Sequence, residues 1–374
     1  MSIPCLSRDN LPEHKDLLDA AEMSRRMRHW LSSDLIRSGS GAYCAWRDVR
    51  NERNAFEYPE ITGYALTFLA GCSCLTPNEL EAGRKAARWL IARLEAQDRS
   101  ARDGWDGGAV YTFDLGMIAT GLIRFGAVAG DDAALDRGVT TARELEKLVR
   151  SPEGLKAIDP AGPPSRGRSG WSTDGVAHLF KCVQCLLLAD EVDDSIDYVG
   201  AARALLDRTL AYQQDDGRFQ TEEADGVTML HPHLYTIEGL YMWGTAQGDD
   251  DALERGRRAL NWAWSHQLDN GGFPRHVVVG GGGGGAAAER PPEQNDLGAQ
   301  ILRMARALEV RPSGYRAGVR RLLDSVRVAQ DGTAAAIYQP ASGHEHHNAW
   351  VTMFAAQALD LAQDGSHLSW RDLV

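Results

Sequence analysis

The 374-residue sequence predicts an all-α fold, an (α/α)6 toroid of six outer and inner helix pairs forming one domain over residues 1–374. Three observations carry this reading. Six amphipathic segments with charged faces recur along the chain, six segments apolar nearly all round alternate with them, and the loops joining the two kinds repeat their residues. A helix with one polar face lies half in solvent, whereas a helix without one is buried on every side. Regular alternation of the two is what an outer and an inner ring write into sequence.

The outer helices fall near Lys15–Ile36, Glu79–Gln97, Ala133–Val149, Tyr198–Gln214, Ala252–Gln267 and Tyr315–Ala329. In the second of them Ala86, Ala87, Leu90, Ile91 and Leu94 mark the three- and four-residue spacing of a helical stripe. The inner helices fall near Ile61–Leu75, Leu115–Val128, Leu179–Ala189, Leu234–Thr245, Leu297–Leu308 and Ala349–Ala362. A single compact core usually stops growing below this length, which makes two domains the default. In a ring each unit packs on its neighbours, so that limit does not apply.

The loops follow a template: Gln97…Asp103-Gly104-Trp105, Gln214-Asp215-Asp216-Gly217-Arg218-Phe219, Gln267-Leu268-Asp269-Asn270-Gly271-Gly272-Phe273 and Gln330-Asp331-Gly332. Gly supplies the backbone conformation that ends a helix, and Gln can bond the backbone groups freed there. One segment breaks the rhythm: residues 277–292, with six consecutive glycines from Gly280 to Gly285, read as a flexible Gly-rich loop insertion within a linking loop.

Composition narrows the function classes. Forty basic against fifty-two acidic residues give a net charge of −12, which argues against nucleic acid or an anionic membrane as the main partner and leaves a small-molecule substrate. The apolar runs are shorter than a membrane span needs. The first twenty residues carry Arg8, Asp9, Glu13, His14, Lys15 and Asp16 and no apolar signal core, so the expected location is cytoplasmic. Six cysteines are too few and too clustered for a disulfide framework, and Cys182-Val-Gln-Cys185 lies in an apolar helix as core cysteines do.

Aligning the six inner helices on their apolar cores brings one polar position into register at each start: Glu60, Asp114, His178, His233, Asp296 and Asn348. In a toroid these starts surround one mouth. A histidine can give or take a proton at neutral pH, and carboxylates beside it can orient it. The expected catalytic set is therefore His178 and His233 as an acid/base pair, with Glu60, Asp114 and Asp296 orienting or activating them. A competing reading makes Glu60, Asp114, Asp296 and Asn348 ordinary first-turn caps, a role that suits the two histidines poorly, and the alternative for each histidine singly is a buried, satisfied core residue. The expected substrate-binding set gathers in the same loops and helix starts: Trp46, Arg47, Tyr58, Tyr64, Trp105, Asp106, Tyr111, Trp171, Asp174, His231, Tyr235, Arg275 and Asn348. Arg166, Arg168 and His276 accompany them. Aromatic faces beside Arg and Asp suit a sugar-like or acidic ligand.

No cofactor is expected. His344-Glu345-His346-His347 lacks the helical spacing of a zinc protease, and the remaining zinc alternative uses His178, His233 and a carboxylate.

The repeated Gln-Gly-aromatic loops resemble the QW-type repeats of the terpenoid cyclase and protein prenyltransferase toroids, which implies the same ring architecture. The DxDD acid motif of the cyclases is missing, because Asp190-Glu191-Val192-Asp193-Asp194 lies at a helix end on the opposite face. His233 with Tyr235 and Gly239-Leu240 resembles the prenyltransferase histidine helix, but the Asp-x-Cys partner is absent. The chain is also similar in architecture to the carbohydrate-active (α/α)6 barrels, the epimerases, unsaturated-uronide hydrolases and polysaccharide lyases, and its Glu-Ile-Thr-Gly-Tyr and His-Leu-Tyr elements look like those of uncharacterised toroid proteins associated with polysaccharide and glycoside metabolism. That resemblance implies proton-transfer chemistry on a sugar-like or polyhydroxylated anionic small molecule. Two alternatives stand beside it: a terpenoid cyclase or prenyltransferase-like enzyme acting on an isoprenoid, and a non-catalytic toroid binding glycan or protein.

Overall fold

A computed structural model describes residues 14–96, 109–162, 177–222, 226–279, 292–339, 346–363 and 365–374. Among them are twelve α-helices in six outer–inner pairs. The outer helices are α1 (His14–Ser32), α3 (Pro77–Glu95), α5 (Asp132–Arg150), α7 (Tyr198–Leu210), α9 (Asp250–Trp264) and α11 (Tyr315–Asp324). The inner ones are α2 (Pro59–Ala70), α4 (Thr112–Ala129), α6 (Val183–Asp190, led in by a 3-10 turn over Ala177–Cys182), α8 (Leu230–Gln247), α10 (Asn295–Ala307) and α12 (Ala349–Leu361). Each inner helix packs on the next, and α12 returns to α2, so the ring is closed. The toroid read from the alternation of segments is the observed fold. Helix α4 is long and apolar enough to cross a membrane, but most of it is buried inside the ring, where an inner helix has to be apolar.

The two rings start their helices differently. Outer helices carry side-chain caps: Thr76, Asp131, Asp197 and Asp249 each accept a backbone N–H of the first turn. Inner helices α2, α4, α8 and α10 follow Tyr58, Tyr111, Met229 and Gln294, none of which caps through its side chain. Asn348 is the exception, its Oδ1 accepting from the Val351 N–H at 3.1 Å.

Short antiparallel strands line the mouth. The strand β1 (Trp46–Asp48) lies between β2 (Arg53–Asn54) and β7 (His346–Asn348), in the register Trp46 to Asn348, Arg47 to His347 and Asp48 to His346. This pairing joins the sixth repeat to the first. Elsewhere β3 (Val227–Met229) pairs with β4 (His276–Val278), and β5 (Val326–Val328) with β6 (Ala334–Ala336). The far end of the ring is sealed by residues 366–374. Gln184 donates to the carbonyls of Trp370 and Leu373, Gln357 donates to that of Asp372, and Trp370, Leu373 and Val374 are buried.

The repeated loops serve as joints between neighbouring repeats. Gln267 donates to the carbonyl of Gly271 in its own turn and to that of Gly314, at the head of the next outer helix. In the fourth repeat the same work falls to Gln213, one residue before the position the template predicted, bonding Gly217 and Arg255. Gly271 has φ +87°, and a Cβ there would lie 2.4 Å from the Ala317 carbonyl oxygen of α11. The substitution Gly271→Ala is therefore expected to destabilise the fold by about 2 kcal/mol or more, read as a lowered denaturation midpoint. A surface glycine in open space such as Gly130, also at positive φ, carries only the conformational part of that cost.

Candidate active site

The inner-helix starts open onto a cavity of about 480 Å³ at the mouth. Its polar wall comes from first-turn residues: Glu60 is the second residue of α2, His231 the second of α8 and Asp296 the second of α10. Its aromatic wall comes from Trp46 on β1, Phe56 and Tyr58 ahead of α2, Tyr235 one turn along α8, Tyr338 after β6 and Trp350 on α12. Arg275, Gln294, His346, Asn348, Ile61 and Met229 complete the lining.

His231 Nδ1 stands 3.0 Å from Asp296 Oδ2, within ion-pair distance although the ring N–H is not aligned on the carboxylate as a hydrogen bond. Asp296 is almost fully buried, and its other oxygen, Oδ1, has no hydrogen-bond partner among the described residues. A buried carboxylate oxygen left in that state is what a ligand group or an ordered water would satisfy. The His231 ring meets the Tyr235 ring edge-on, with centroids 4.3 Å apart. Across the cavity His346 stacks on Trp46 at 5.5 Å with planes 9° apart. Gln294 donates to the Tyr338 hydroxyl. Arg275 is the cavity's one arginine or lysine among the described residues; it is exposed, held by backbone bonds to Leu230 and Pro292.

The predicted histidine pair does not form. His233 is fully buried outside the cavity; its Nδ1 accepts the Phe219 N–H at 3.1 Å and its Nε2 faces the Ala259 carbonyl at 3.1 Å. Both ring nitrogens are thereby engaged in backbone bonds. Thr62 accepts the Tyr43 N–H and Thr352 the Ala336 N–H from the same fourth position of their helices, so His233 fills a joint that threonine fills in two other repeats. Proline explains the shift: Pro232 looks like a boundary ahead of a helix starting at Leu234, but α8 begins at Leu230 and takes Pro232 into its first turn. The register position is therefore held by His231. Burial pushes His233 down to about 4 and His178 down to about 3. His178 lies under the floor, its ring 5.6 Å from Phe113, and does not line the cavity among the described residues. The zinc alternative that needed His178, His233 and a carboxylate loses His233 as a ligand. His346 and His347 point to opposite faces of β7, and among the described residues no group of three or more His, Cys, Asp or Glu is placed to hold a metal.

Three further expectations change. Arg47 alternates with Trp46 along β1 and so leaves the cavity, donating to Asn54 Oδ1. Tyr64 is buried one turn below Glu60, edge-on to Phe354. Tyr111 is buried at the head of α4, bridged to Ile158, and Asp114 is buried in the first turn without lining the cavity. Glu60 and Asp296 are not the residues before their helices and so are not N-caps, but both are first-turn carboxylates at the positive end of the helix dipole. Trp105, Asp106, Arg166, Arg168, Trp171, Asp174, His344 and the Gly280–Gly285 run lie outside the described residues. Sequence reasoning missed Phe56, Gln294, Tyr338 and Trp350. Of these Trp350 was within reach, two residues after Asn348; Tyr338 was not, because it sits on the short β6 extension that no helical period marks.

No protein-family model and no curated protein sequence matches the chain. Solved structures do. An unsaturated glucuronyl hydrolase from Bacillus sp. GL1 superimposes with a TM-score of 0.68 at 16% identity, covering 95% of this chain and 98% of its own. A sugar epimerase from a ruminal bacterium gives 0.68 at 10% identity, over 95% and 100%. An α-1,6-mannanase from Salegentibacter sp. gives 0.60 at 10% identity, over 92% and 98%. The chain has their (α/α)6 toroid fold. At these identities the likeness is one of fold.

The two buried histidines make stability depend on pH. Each is held neutral in the fold with its pKa below the unfolded value, so the stability they allow is complete above about pH 6.5 and is lost as pH falls towards their folded values. For His233 alone the loss between pH 6.5 and 4 is on the order of 3 kcal/mol. Denaturant unfolding measured across that window is expected to show this slope, and His233→Thr is expected to flatten it.

Proposed function

We propose that this protein is an enzyme that transfers protons on a sugar-type, acidic small molecule held in the mouth cavity. The observation that carries the reading is the His231–Asp296 contact set in one cavity with Glu60, aromatic walls and one arginine. Glu60 belongs to the first repeat and His231 to the fourth, so in a ring of six they approach a bound molecule from opposite sides. Asp296 holds the Nδ1 edge of His231, which leaves Nε2 to take or give the proton. Glu60 supplies the complementary group on the other face. A pair of this kind serves removal and return of a proton at a sugar carbon, or protonation of a leaving oxygen.

Binding follows from the walls. Trp46, Tyr58, Tyr338 and Trp350 offer apolar faces against the C–H face of a sugar ring, with hydroxyl and indole N–H groups at their rims. Arg275 suits a carboxylate or phosphate, and the uncapped starts of α2, α8 and α10 also favour negative charge at the mouth. The aromatic walls alone would also admit an isoprenoid, and it is the first-turn Glu60, His231 and Asp296 at the helix starts that favour a polar, hydroxylated substrate. The folds of the unsaturated glucuronyl hydrolases, sugar epimerases and mannanase support the carbohydrate reading.

A panel of unsaturated uronyl disaccharides, reducing disaccharides such as cellobiose, and manno-oligosaccharides tests it. Turnover of one class is expected, with Glu60→Gln, His231→Asn and Asp296→Asn each lowering kcat/KM by about 10²-fold or more. His233→Thr is expected to stay within about threefold of the parent. Full activity of His231→Asn, or neither turnover nor binding across the panel, contradicts the proposal.

A further inference from the structure

Beneath the cavity floor lies a charged cluster that the proposed chemistry does not use. Lys181, Glu238 and Arg303 are all fully buried on the ring axis. Lys181 Nζ is 2.5 Å from Glu238 Oε2, and Arg303 Nη2 is 2.7 Å from Glu238 Oε1. Arg303 also donates to Gln357 Oε1 and to the Val374 carbonyl, which ties the cluster to the segment sealing the far end. Ions buried this deeply are costly, and apolar side chains of the same volume would stabilise such a core as well or better. Their presence calls for an account in terms of what they hold.

Helical spacing answers that. Glu238 lies one turn below Tyr235 on α8, and Arg303 lies two turns below Asp296 on α10, both on the axis-facing side. Lys181 projects between the two levels. Its ammonium lies 4.6 Å from the centroid of the Tyr235 ring, 4.8 Å from that of Tyr64 and 5.6 Å from that of Phe354. At these distances a desolvated cation attracts ring faces strongly. Tyr235 in turn carries the His231 ring on its edge, and His231 contacts Asp296. A continuous chain of contacts therefore runs from Glu238 through Lys181 and Tyr235 to the imidazole in the cavity.

We propose that Lys181, clamped by Glu238, is a positioning residue that fixes the Tyr235 ring and through it the orientation of His231 against Asp296. The proposal rests on the reading of His231 as the acid/base group, but its structural half can be measured without any substrate. Burial lowers the Lys181 pKa and the Glu238 carboxylate, 2.5 Å from its nitrogen, opposes that shift by holding the ammonium form.

The test uses the full chain labelled with ¹³Cε1-histidine, with the His231 signal assigned by its loss in His231→Asn. Lys181→Met removes the charge and leaves Glu238 paired with Arg303; Lys181→Gln, which keeps a hydrogen bond to Glu238, takes its place if the first variant does not fold. The expected result is a displaced or broadened His231 signal in the Lys181 variant. The control is Arg124→Met, which breaks the Arg124–Asp372 ion pair at the sealed end and is expected to leave the His231 signal in place. On whichever panel sugar is turned over, kcat is expected to fall about tenfold or more with KM within about twofold. An unmoved His231 signal in the Lys181 variant, or an equal displacement in Arg124→Met, overturns the positioning role and leaves the proposed function standing. A displaced signal with no sugar turned over in the parent protein supports the positioning role while the proposed function fails.

Discussion

A ring of six repeats holds its shape only if the sixth repeat bonds to the first, and here the packing of α12 on α1 and α2 is joined at the mouth by the short antiparallel pairing of β1 with β7. Trp46 lies opposite Asn348 and Asp48 opposite His346, and the Ala349 N–H reaches the Ala45 carbonyl. Closure and site are therefore one constraint. The strands that pair there also bring Trp46 and His346, three hundred residues apart in sequence, into a parallel stack on the cavity wall.

The same economy governs the helix starts. Four of the outer helices satisfy free N–H groups with Asp and Thr caps. Four of the inner helices place an aromatic, Met or Gln at that position instead, and three of these, α2, α8 and α10, turn the first-turn side chains Glu60, His231 and Asp296 to the cavity. Below them the inner faces run down the axis in layers. The layer of Tyr64, Tyr235 and Phe354 rests on the buried ammonium of Lys181, and the charges beneath reach the segment that seals the far end. Depth along the axis thus sorts the residues into a polar mouth, an aromatic floor and an ionic base.

Much of this was legible in the sequence. The alternation of amphipathic and wholly apolar segments located all twelve helices, because burial on one side or on all sides leaves different periodicities. The end of the ring that holds the mouth cavity followed from the register of inner-helix starts. Glu60, Asp296, Asn348, Tyr58, Trp46, Tyr235 and Arg275 were placed at the cavity from that register and from the loops beside it. What failed did so for local reasons. Pro232 inside a first turn moved the fourth register position from His233 to His231. Two-residue alternation along β1 separated Arg47 from Trp46. One helical turn of depth took Tyr64 below the floor. The repeats also encode a joint, a side chain accepting the loop backbone at the fourth helix position, and His233 serves there as Thr62 and Thr352 do. A histidine chosen for its chemistry and one chosen for its shape look alike in sequence.

The account places chemistry at the mouth, between Glu60 and His231, with Asp296 behind the imidazole. The most direct measurement is a crystal structure of the full chain soaked with an acidic disaccharide. The account predicts a sugar ring against Trp46 and Trp350, an exchangeable group within hydrogen-bond distance of His231 Nε2, and the acid group at Arg275. A ligand bound instead at the sealed end, in the cavity of about 500 Å³ beside Trp370 and His367, with the mouth left to solvent, would contradict it.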